Sequence, residues 1–383
     1  GIRYYDGRKG KYQIPQEWKD MDVVTVFKNK GSRLDTNSNY RGVALISQAG
    51  KILAKIIDRR LQAYCEQNNI YVKNQYGFRQ GRGVQDLVFA ARRLQEMARG
   101  LDMDLYWVFV DLTKAYDSVH RETLWKVLAK CGIPQHLIDI IEDWHTGMQA
   151  LCVKMNGERT RKFNIDIGLR QGDVMAPTLF NIFFSMVIQV MKKKLKNRME
   201  ELNKQYIGIP IKFDTSIQSW MFKWVNGENG GNQNIKFDDI WNLLFADDAA
   251  FMSTSEEGLQ LVLASIFNEV SDGFGLAISI KKTEVLCQKK MFKEVQENAQ
   301  TKYNEAKKRK NPLKSNININ HQLLSDVFDF KYLGSIFNQG GTIDTELERR
   351  IILAQATFNN NRKIFNSKYM LVDTKMKYYN MLV

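Results

Sequence analysis

The chain is predicted to be an α+β protein. Three observations predict it. Short runs rich in β-branched residues flank turn-forming residues, as hairpins do. Longer segments repeat their apolar residues every three or four positions, as helices do. Finally, "IWNLLFADDAAFMST" (240–254) reads as strand, two-carboxylate turn and strand.

Taken in order, "DVVTVFK" (22–28) and "YRGVALIS" (40–47) read as strands, and the Gly-, Asn- and Ser-rich "NKGSRLDTNSN" between them makes a hairpin turn. Helices are predicted over 48–67 and over 84–100, the second stopping at Gly100. "LYWVFVDL" (105–112) is a buried-type strand, followed by a helix over 118–132. "LCVKMNGERTRKFNI" (151–165) is a hairpin around an Asn-Gly turn. The apolar helix at 174–191 carries Asn181, Ser185 and Gln189 four residues apart, which predicts one polar line facing something polar. Residues 192–204 are basic, and 206–240 reads as a strand-rich insertion whose "NGENGGNQN" is a flexible tip. After the 240–254 unit come a helix over 255–275 capped by Ser255, a strand over 276–286 and a charged stretch at 293–316. A short hairpin at 328–337 and helix from 342 onward complete the series.

With 383 residues the chain is too long for one core, and two or three lobes are expected. Hydrophobic residues at 44% exclude a disordered chain. Lys plus Arg is 56 against 42 Asp plus Glu, and the net charge of +14 favours a polyanionic partner such as nucleic acid. The four cysteines show no paired spacing, so reduced thiols are expected. The four histidines show no metal spacing. No signal peptide opens the chain, and its longest apolar segment is too short to span a bilayer, so no membrane partner is expected. Neither end carries a clear cap or tail, which suggests an excised piece of a longer protein.

The acidic residues carry the chemistry. Asp111 ends a buried strand, while Asp247 and Asp248 occupy a turn. Two carboxylates about 4 Å apart repel by about 4 kcal/mol at an effective dielectric near 20. Such a cluster persists when a divalent cation neutralises it or a carboxylate takes up a proton. All-oxygen ligands suit Mg²⁺ or Mn²⁺ completed by substrate phosphates. On its own, "ADD" reads sooner as a solvated hairpin turn than as a metal site.

It stands among other blocks. "VFVDLTKAYDSVHRETLW", "IGLRQGDVMAPTLFN", "LLFADDAAFM", "GLAISIKKTEVL" and "FKYLGSIF" occur in this order. They resemble the successive palm motifs of reverse transcriptases of non-LTR (LINE-type) retrotransposons. Upstream, "NYRGVALISQAGKILAKII" and "NQYGFRQGRGVQDL" resemble the fingers motifs of that family, and "GGTIDTELERRIILAQATF" resembles the start of its thumb. The resemblance implies a right hand with fingers at 1–103, palm at 104–292, a basic linker at 293–319, and primer grip and thumb start at 320–383. It implies RNA-templated DNA synthesis from a primer 3′-OH, with two Mg²⁺ ions (or Mn²⁺). The implied partners are an RNA template, a DNA primer or nicked target DNA, deoxynucleoside triphosphates and further domains of a longer polyprotein. The implied setting is intracellular, in nuclear and cytoplasmic ribonucleoprotein.

Residue by residue, the resemblance makes Asp111 the first metal ligand, with the Leu112 carbonyl beside it. Asp247 is the second shared ligand, and Asp248 is nearby and less directly engaged. Gln171 and Gly172 lie along the incoming nucleotide, and Tyr116 sits under its sugar. Arg41 and one of Lys28 or Lys30 reach the triphosphate; charges on a solvated hairpin are the ordinary alternative. Arg79 touches the template strand, or else pairs with Asp86 or a similar acid. Lys282 is held near the leaving pyrophosphate, with Lys281 as the competing choice. Phe330, Tyr332, Leu333 and Gly334 form the primer grip, against the alternative that both rings pack in a core. The chain departs from the family pattern at Gly42 (commonly Pro), at Asp173 (commonly small or Cys) and at Phe245 (commonly Tyr). An acid at 173 would weaken triphosphate binding unless it points away. Three rivals share these carboxylates: an RNA-dependent RNA polymerase, a group II intron-type protein and an RNA-binding remnant without turnover.

Overall fold

Leu105–Val110 is apolar without a break, which suits a strand covered on both faces. The computed structural model buries all six of its residues. It describes residues 5–6, 11–27, 39–153, 158–202, 209–214, 235–289 and 312–382.

After a short strand pair, Tyr5–Asp6 with Lys11–Tyr12, and a helical turn at Gln16–Lys19 comes the hairpin β1 (Met21–Phe27) with β2 (Tyr40–Ile46), in antiparallel register from Met21↔Ile46 to Phe27↔Tyr40. Helices α1 (Gln48–Gln67) and α2 (Val84–Gly100) have the predicted bounds. Ser47 caps α1 by accepting from the Gly50 N–H at 3.1 Å, and Asp86 accepts from the Gly83 N–H ahead of α2 at 2.7 Å. After β3 (Leu105–Val110), the helix expected over 118–132 is found with shorter bounds. A single turn at Ala115–Ser118 is followed by α3 (Arg121–Lys130), because Val119 leaves helical geometry to bury its side chain. Helix α4 (Gln135–His145) was not anticipated, although Pro134 precedes an apolar series, Leu137, Ile138, Ile141 and Trp144, on a helical spacing.

Strands β4 (Gln149–Val153) and β5 (Phe163–Asn164) form the expected hairpin, whose Asn-Gly turn lies outside the described residues. Helix α5 (Ala176–Glu201) runs through the apolar segment and on into the basic one. The strand-rich segment contributes the hairpin β6 (Ile209–Asp214) and β7 (Ile235–Ile240); its tip lies outside the described residues. Then come β8 (Asn242–Phe245) and β9 (Asp248–Ser253). Ser255 caps the next helical segment as predicted, accepting from the Gly258 N–H at 3.0 Å. That segment comprises α6 (Glu256–Gln260), a π-helical stretch (Leu261–Phe267) and α7 (Asn268–Gly273). The strand expected over 276–286 begins later, as β10 (Glu284–Gln288), because the Lys282 and Thr283 N–H groups both turn back to the Ser279 carbonyl. After β11 (Ser325–Asp326), the hairpin β12 (Asp329–Tyr332) and β13 (Ser335–Asn338) leads to α8 (Asp344–Asn360) and α9 (Val372–Leu382). Most of the predicted linker lies outside the described residues.

The central sheet has the order β8-β9-β3-β10-β11, with β3 antiparallel to both neighbours. Successive side chains of a strand point to opposite faces. Tyr106, Val108 and Val110 therefore join one core with Phe180, Phe183 and Phe184 of α5. Leu105, Trp107 and Phe109 join a second core with Leu87, Ala91 and Leu94 of α2 and with Tyr332 and Phe337 of the β12–β13 hairpin. A second sheet has the order β2-β1-β4-β5, and its parallel β1–β4 pairing ties the first hairpin to the segment after α4. The polar line of α5 has a definite use. Asn181 donates to the Gly77 carbonyl (2.7 Å), Ser185 accepts from the Val72 N–H (3.3 Å) and Gln189 donates to the Ile70 carbonyl (3.2 Å). That helix face satisfies the backbone of the 70–77 segment, which forms no strand ladder of its own and needs other partners for its polar groups.

Candidate active site

The β8–β9 hairpin closes at the pair Phe245↔Asp248, so Ala246 and Asp247 form its two-residue loop. Strand β9 pairs with β3 down to Ala249↔Val110. One step further along that register, Asp248 faces Asp111 across the strands. All three carboxylates are thus gathered at one end of these strands, Asp111 and Asp247 partly exposed and Asp248 in the open. The mass of protein beneath the turn, then the charges of Asp247 and Asp111, raise the pKa of Asp248 to about 6, even though its side chain keeps access to solvent. Asp111 and Asp248, 137 positions apart in sequence, have met, and the chain carries the electrostatic cost of their meeting.

Asp111 is held by its backbone from the turn before β10. Its N–H donates to Thr283 Oγ1 (3.4 Å), and its carbonyl accepts from the Ser279 N–H (2.8 Å). Thr283 is fully buried and donates its own hydroxyl to the Ser279 carbonyl (2.9 Å). No sequence pattern singled out Thr283. The same turn presents Lys282, whose Nζ lies 3.2 Å from Asp111 Oδ2, so Lys282 rather than Lys281 is the cation brought to the carboxylates. Both groups are solvent-exposed, and the tie between them is weak. Leu112 is buried beside Asp111 and bridges to Ile278.

Tyr116 stands close enough to feel Asp247 and Asp248. Burial first, then those two charges, raise its hydroxyl pKa. Its ring stacks on Phe180, centroids 4.7 Å apart and planes 22° from parallel, which fixes its orientation from below. The Gln171 carbonyl accepts from the Ala44 N–H (3.0 Å), which docks the 171–172 segment onto β2. Gly172 has φ +105°, and a Cβ there would stand 2.8 Å from the Ala44 carbonyl oxygen. The close approach that this glycine permits is to the protein's own strand, not only to a ligand. Asp173 points away from the carboxylates into the core. It accepts from Trp144 Nε1 (2.7 Å) and from the Met175 N–H (3.1 Å), and Arg170 lies beside it at 3.9 Å.

Of the predicted cations, Lys28 and Lys30 lie outside the described residues. Arg41 is placed by its backbone alone, opposite Val26 in the hairpin. Arg79 is turned inward. It makes a two-pronged ion pair with Glu66 (2.8 and 2.6 Å), donates to the Val72 and Gln75 carbonyls, and lies over the Tyr71 ring. Its partner is Glu66 and not Asp86, which caps α2 instead. Arg79 braces the segment and is not an open cation facing a template.

The predicted primer grip also needs correction. Phe330 stacks on Phe109 with centroids 3.9 Å apart, and Tyr332 is buried with its hydroxyl donating to the Leu243 carbonyl (3.3 Å). Tyr332 is core and Phe330 packs half-buried against it, as two aromatics alternating with polar residues beneath an apolar sheet should. Leu333 (φ +48°) and Gly334 (φ +87°) form the two-residue hairpin tip. Arg349 of α8 donates to the Gly334 carbonyl at 2.9 Å. This tip and the exposed Lys331 are presented outward. Of the other departures, Phe245 packs against Phe78, with centroids 6.2 Å apart, and Gly42 sits inside the β1–β2 ladder opposite Thr25.

The loop residue Ala246 has φ +54°, a left-handed conformation that costs a non-glycine residue roughly 1–2 kcal/mol. Its backbone is wrapped by the side chain of Gln75. Gln75 Oε1 accepts from the Ala246 N–H (2.9 Å), and Gln75 Nε2 donates to the Ala246 carbonyl (3.3 Å). Gln75 lies inside "NQYGFRQGRGVQDL", but nothing in its sequence spacing connects it with residue 246.

Among the described residues, no three His, Cys, Asp or Glu side chains are drawn together so as to hold a metal ion by themselves. The arrangement has the open form that suits Mg²⁺, which is commonly held by one or two carboxylates and completed by water and substrate phosphates. Burial first, then the neighbouring charges of Asp247 and Asp111, raise the pKa of Asp248, and hard oxygen ligands of this kind fit a divalent cation.

A family model described as reverse transcriptase (RNA-dependent DNA polymerase) matches residues 27–337. The RNA-directed DNA polymerase from mobile element jockey of Drosophila melanogaster is 28% identical over 180 residues, 45% of this chain and 18% of that protein. A retrovirus-related Pol polyprotein from type-1 retrotransposable element R2 of Nasonia vitripennis is 22% identical over 341 residues, 88% of this chain and 28% of its own length. The chain therefore spans less than a third of either relative. Among solved structures, apo telomerase from Candida tropicalis, truncated from its C-terminal domain, superposes with a TM-score of 0.46 at 11% identity, over 72% of this chain and 51% of that one.

Proposed function

Because this chain belongs to the reverse transcriptase (RNA-dependent DNA polymerase) family, we propose that it is the polymerase domain of a longer non-LTR retrotransposon protein. It extends the 3′-hydroxyl of a DNA primer, or of nicked target DNA, on an RNA template. Its setting is nuclear and cytoplasmic ribonucleoprotein. The observation that carries the reading is the meeting of Asp111 with the Asp247–Asp248 turn at the strand ends of the central sheet. In the reaction the primer oxygen forms a bond to the α-phosphorus of a deoxynucleoside triphosphate, the bond to the bridging oxygen breaks, and pyrophosphate leaves. Asp111, Asp247 and Asp248, with the Leu112 carbonyl beside them, would hold Mg²⁺ or Mn²⁺. Bound there, two such ions supply charge neutralisation for the attacking and leaving oxygens. Lys282 offers a cation, and a proton, at the rim of the same site. Gln171 and Gly172 carry the nucleotide on the side of β2, where Arg41 and Lys28 or Lys30 meet the triphosphate. The Leu333–Gly334 tip meets the primer backbone.

Primer extension on a primed RNA template with Mg²⁺ tests this reading. Templated addition of deoxynucleotides supports it. Extension with ribonucleotides alone would favour an RNA polymerase, and RNA binding without extension would favour a remnant.

Tyr116 separates these readings further. A planar ring held rigidly by Phe180 beside the carboxylates would collide with a 2′-hydroxyl while admitting deoxyribose. Tyr116→Ala is expected to keep appreciable deoxynucleotide addition and to raise relative ribonucleotide incorporation by about 10-fold or more, the size of about 1.4 kcal/mol of lost exclusion. Single-nucleotide extension with each sugar measures the ratio. An unchanged ratio in a folded variant would assign Tyr116 to packing alone.

Binding to primed RNA is expected to weaken steeply with salt, as the +14 charge implies. Each neutralised phosphate contributes roughly 0.7–0.9 to the slope of log affinity against log salt. A titration series giving a flat profile would remove the polyanion groove from the account.

A further inference from the structure

Ala246 immediately precedes Asp247 and adopts a left-handed conformation without glycine's freedom to do so. Such a conformation persists only where surrounding contacts over-determine it. Those contacts come from one short segment, 74–77. The Leu244 N–H donates to the Asn74 carbonyl (2.9 Å), and the Tyr76 N–H donates to the Leu244 carbonyl (2.8 Å), so the segment lies alongside β8. Between them the fully buried Gln75 turns its amide into the loop. Its oxygen accepts from both the Ala246 and Gly77 N–H groups (2.9 Å each), while its nitrogen donates to the Ala246 carbonyl. The fit leaves no room for another side chain, since a Cβ on Gly77 would stand 2.5 Å from the Ala246 nitrogen. Behind Gly77, Asn181 of α5 holds its carbonyl at 2.7 Å.

We propose that Gln75 is a positioning residue for the carboxylate turn, its side-chain amide holding Ala246 left-handed and so setting where Asp247 stands relative to Asp111. A glutamine can do this because its amide carries both donor and acceptor and so satisfies the N–H and the C=O of one residue together, as a neighbouring strand would. The segment at 70–77 is in turn anchored to α5, so the position of the turn is referred to the rigid body of the palm. The inference rests on the polymerase reading for its functional half; its structural half does not.

Gln75→Met conserves volume and removes the amide. In that variant, hydrogen exchange at the Ala246 amide is expected to accelerate by about 100-fold or more, while the Leu244 amide, held by Asn74, keeps its protection. Turnover at saturating primer–template and nucleotide is expected to fall by about 10-fold or more, with the nucleotide KM within about threefold of the parent value. The second arm repeats the comparison in the Ala246→Gly background, where left-handed geometry has no steric cost. There the loss caused by Gln75→Met shrinks to about threefold or less, a coupling that a double-mutant cycle reads directly. Gln75→Glu keeps the acceptor and loses the donor, and it carries the same comparison if the methionine variant does not fold. Unchanged exchange at Ala246, or an equal loss of turnover in both backgrounds, overturns the proposal. An unreactive parent chain with the expected exchange pattern would overturn the polymerase reading and leave the clamp standing.

Discussion

Asp111→Asn and Asp247→Asn are each expected to lower primer extension by about 10³-fold or more, while the folded state and affinity for primed RNA stay near those of the parent. The expectation follows from what each substitution removes. Asn keeps the shape of Asp and its hydrogen-bonding capacity, but it withdraws one negative charge from a site built of three. The charge stabilisation available to a phosphoryl displacement from such a site amounts to several kcal/mol, and each 1.36 kcal/mol is tenfold in rate. Neither residue supports the core. Asp111 is partly exposed at the end of β3 and is held through its backbone, which the substitution leaves intact. The measurement is single-turnover extension with a thermal melt alongside. Extension by either variant within about tenfold of the parent would remove that residue from the reaction. Asp248→Asn belongs in the same series, because the register sets Asp248 rather than Asp247 across from Asp111. A loss at Asp248 as deep as that at Asp247 would show that both carboxylates of the turn are engaged.

Asp173→Ala is expected to cost about 3–5 kcal/mol of stability, because breaking a buried ion pair leaves the surviving charge uncompensated. Arg170 and Asp173 have side chains essentially without solvent exposure. Arg170 Nη1 finds no hydrogen-bond partner among the described residues, and burial lowers the Arg170 pKa to about 10. Removing Asp173 would also leave the Trp144 N–H and the first turn of α5 without their acceptor. Asp173→Asn keeps an acceptor and is expected to lose less. Urea unfolding measures both. If Asp173 faced the nucleotide, as its place after Gln171 and Gly172 suggests by resemblance, the variants would instead unfold normally and show a changed nucleotide KM.

The elements were legible where local pattern decides them. The bounds of α1 and α2, the Ser255 cap and the two strands around Asp247–Asp248 all follow from residues within a few positions of one another. The polar line of α5 was legible as a line, but its partner was not. Asn181, Ser185 and Gln189 serve a backbone more than 100 residues away, and hydrogen bonds to main chain leave no mark on the partner's sequence. The strand expected from Leu276 failed for a local reason that propensity does not register, the turn closed on the Ser279 carbonyl.

The sequence by itself determined the class of chemistry. Three aspartates and a basic balance are compatible with nucleotidyl transfer, and the ordered motifs that resemble reverse transcriptases point to it, because residue type and order survive in the one-dimensional record. Only the tertiary structure decided which way the side chains turn. Arg79, read as touching the template, is bound inward by Glu66, and Asp173, which would have weakened triphosphate binding had it faced the nucleotide, turns inward to Trp144; Tyr332 is core with Phe330 half-buried against it, and Lys282 rather than its neighbour reaches Asp111. Gln75, which no motif role had distinguished, grips the turn that carries Asp247. The physical reason is that a buried polar group must find its partner wherever the fold places one, and that partner is set by packing across the molecule, not by spacing along the chain.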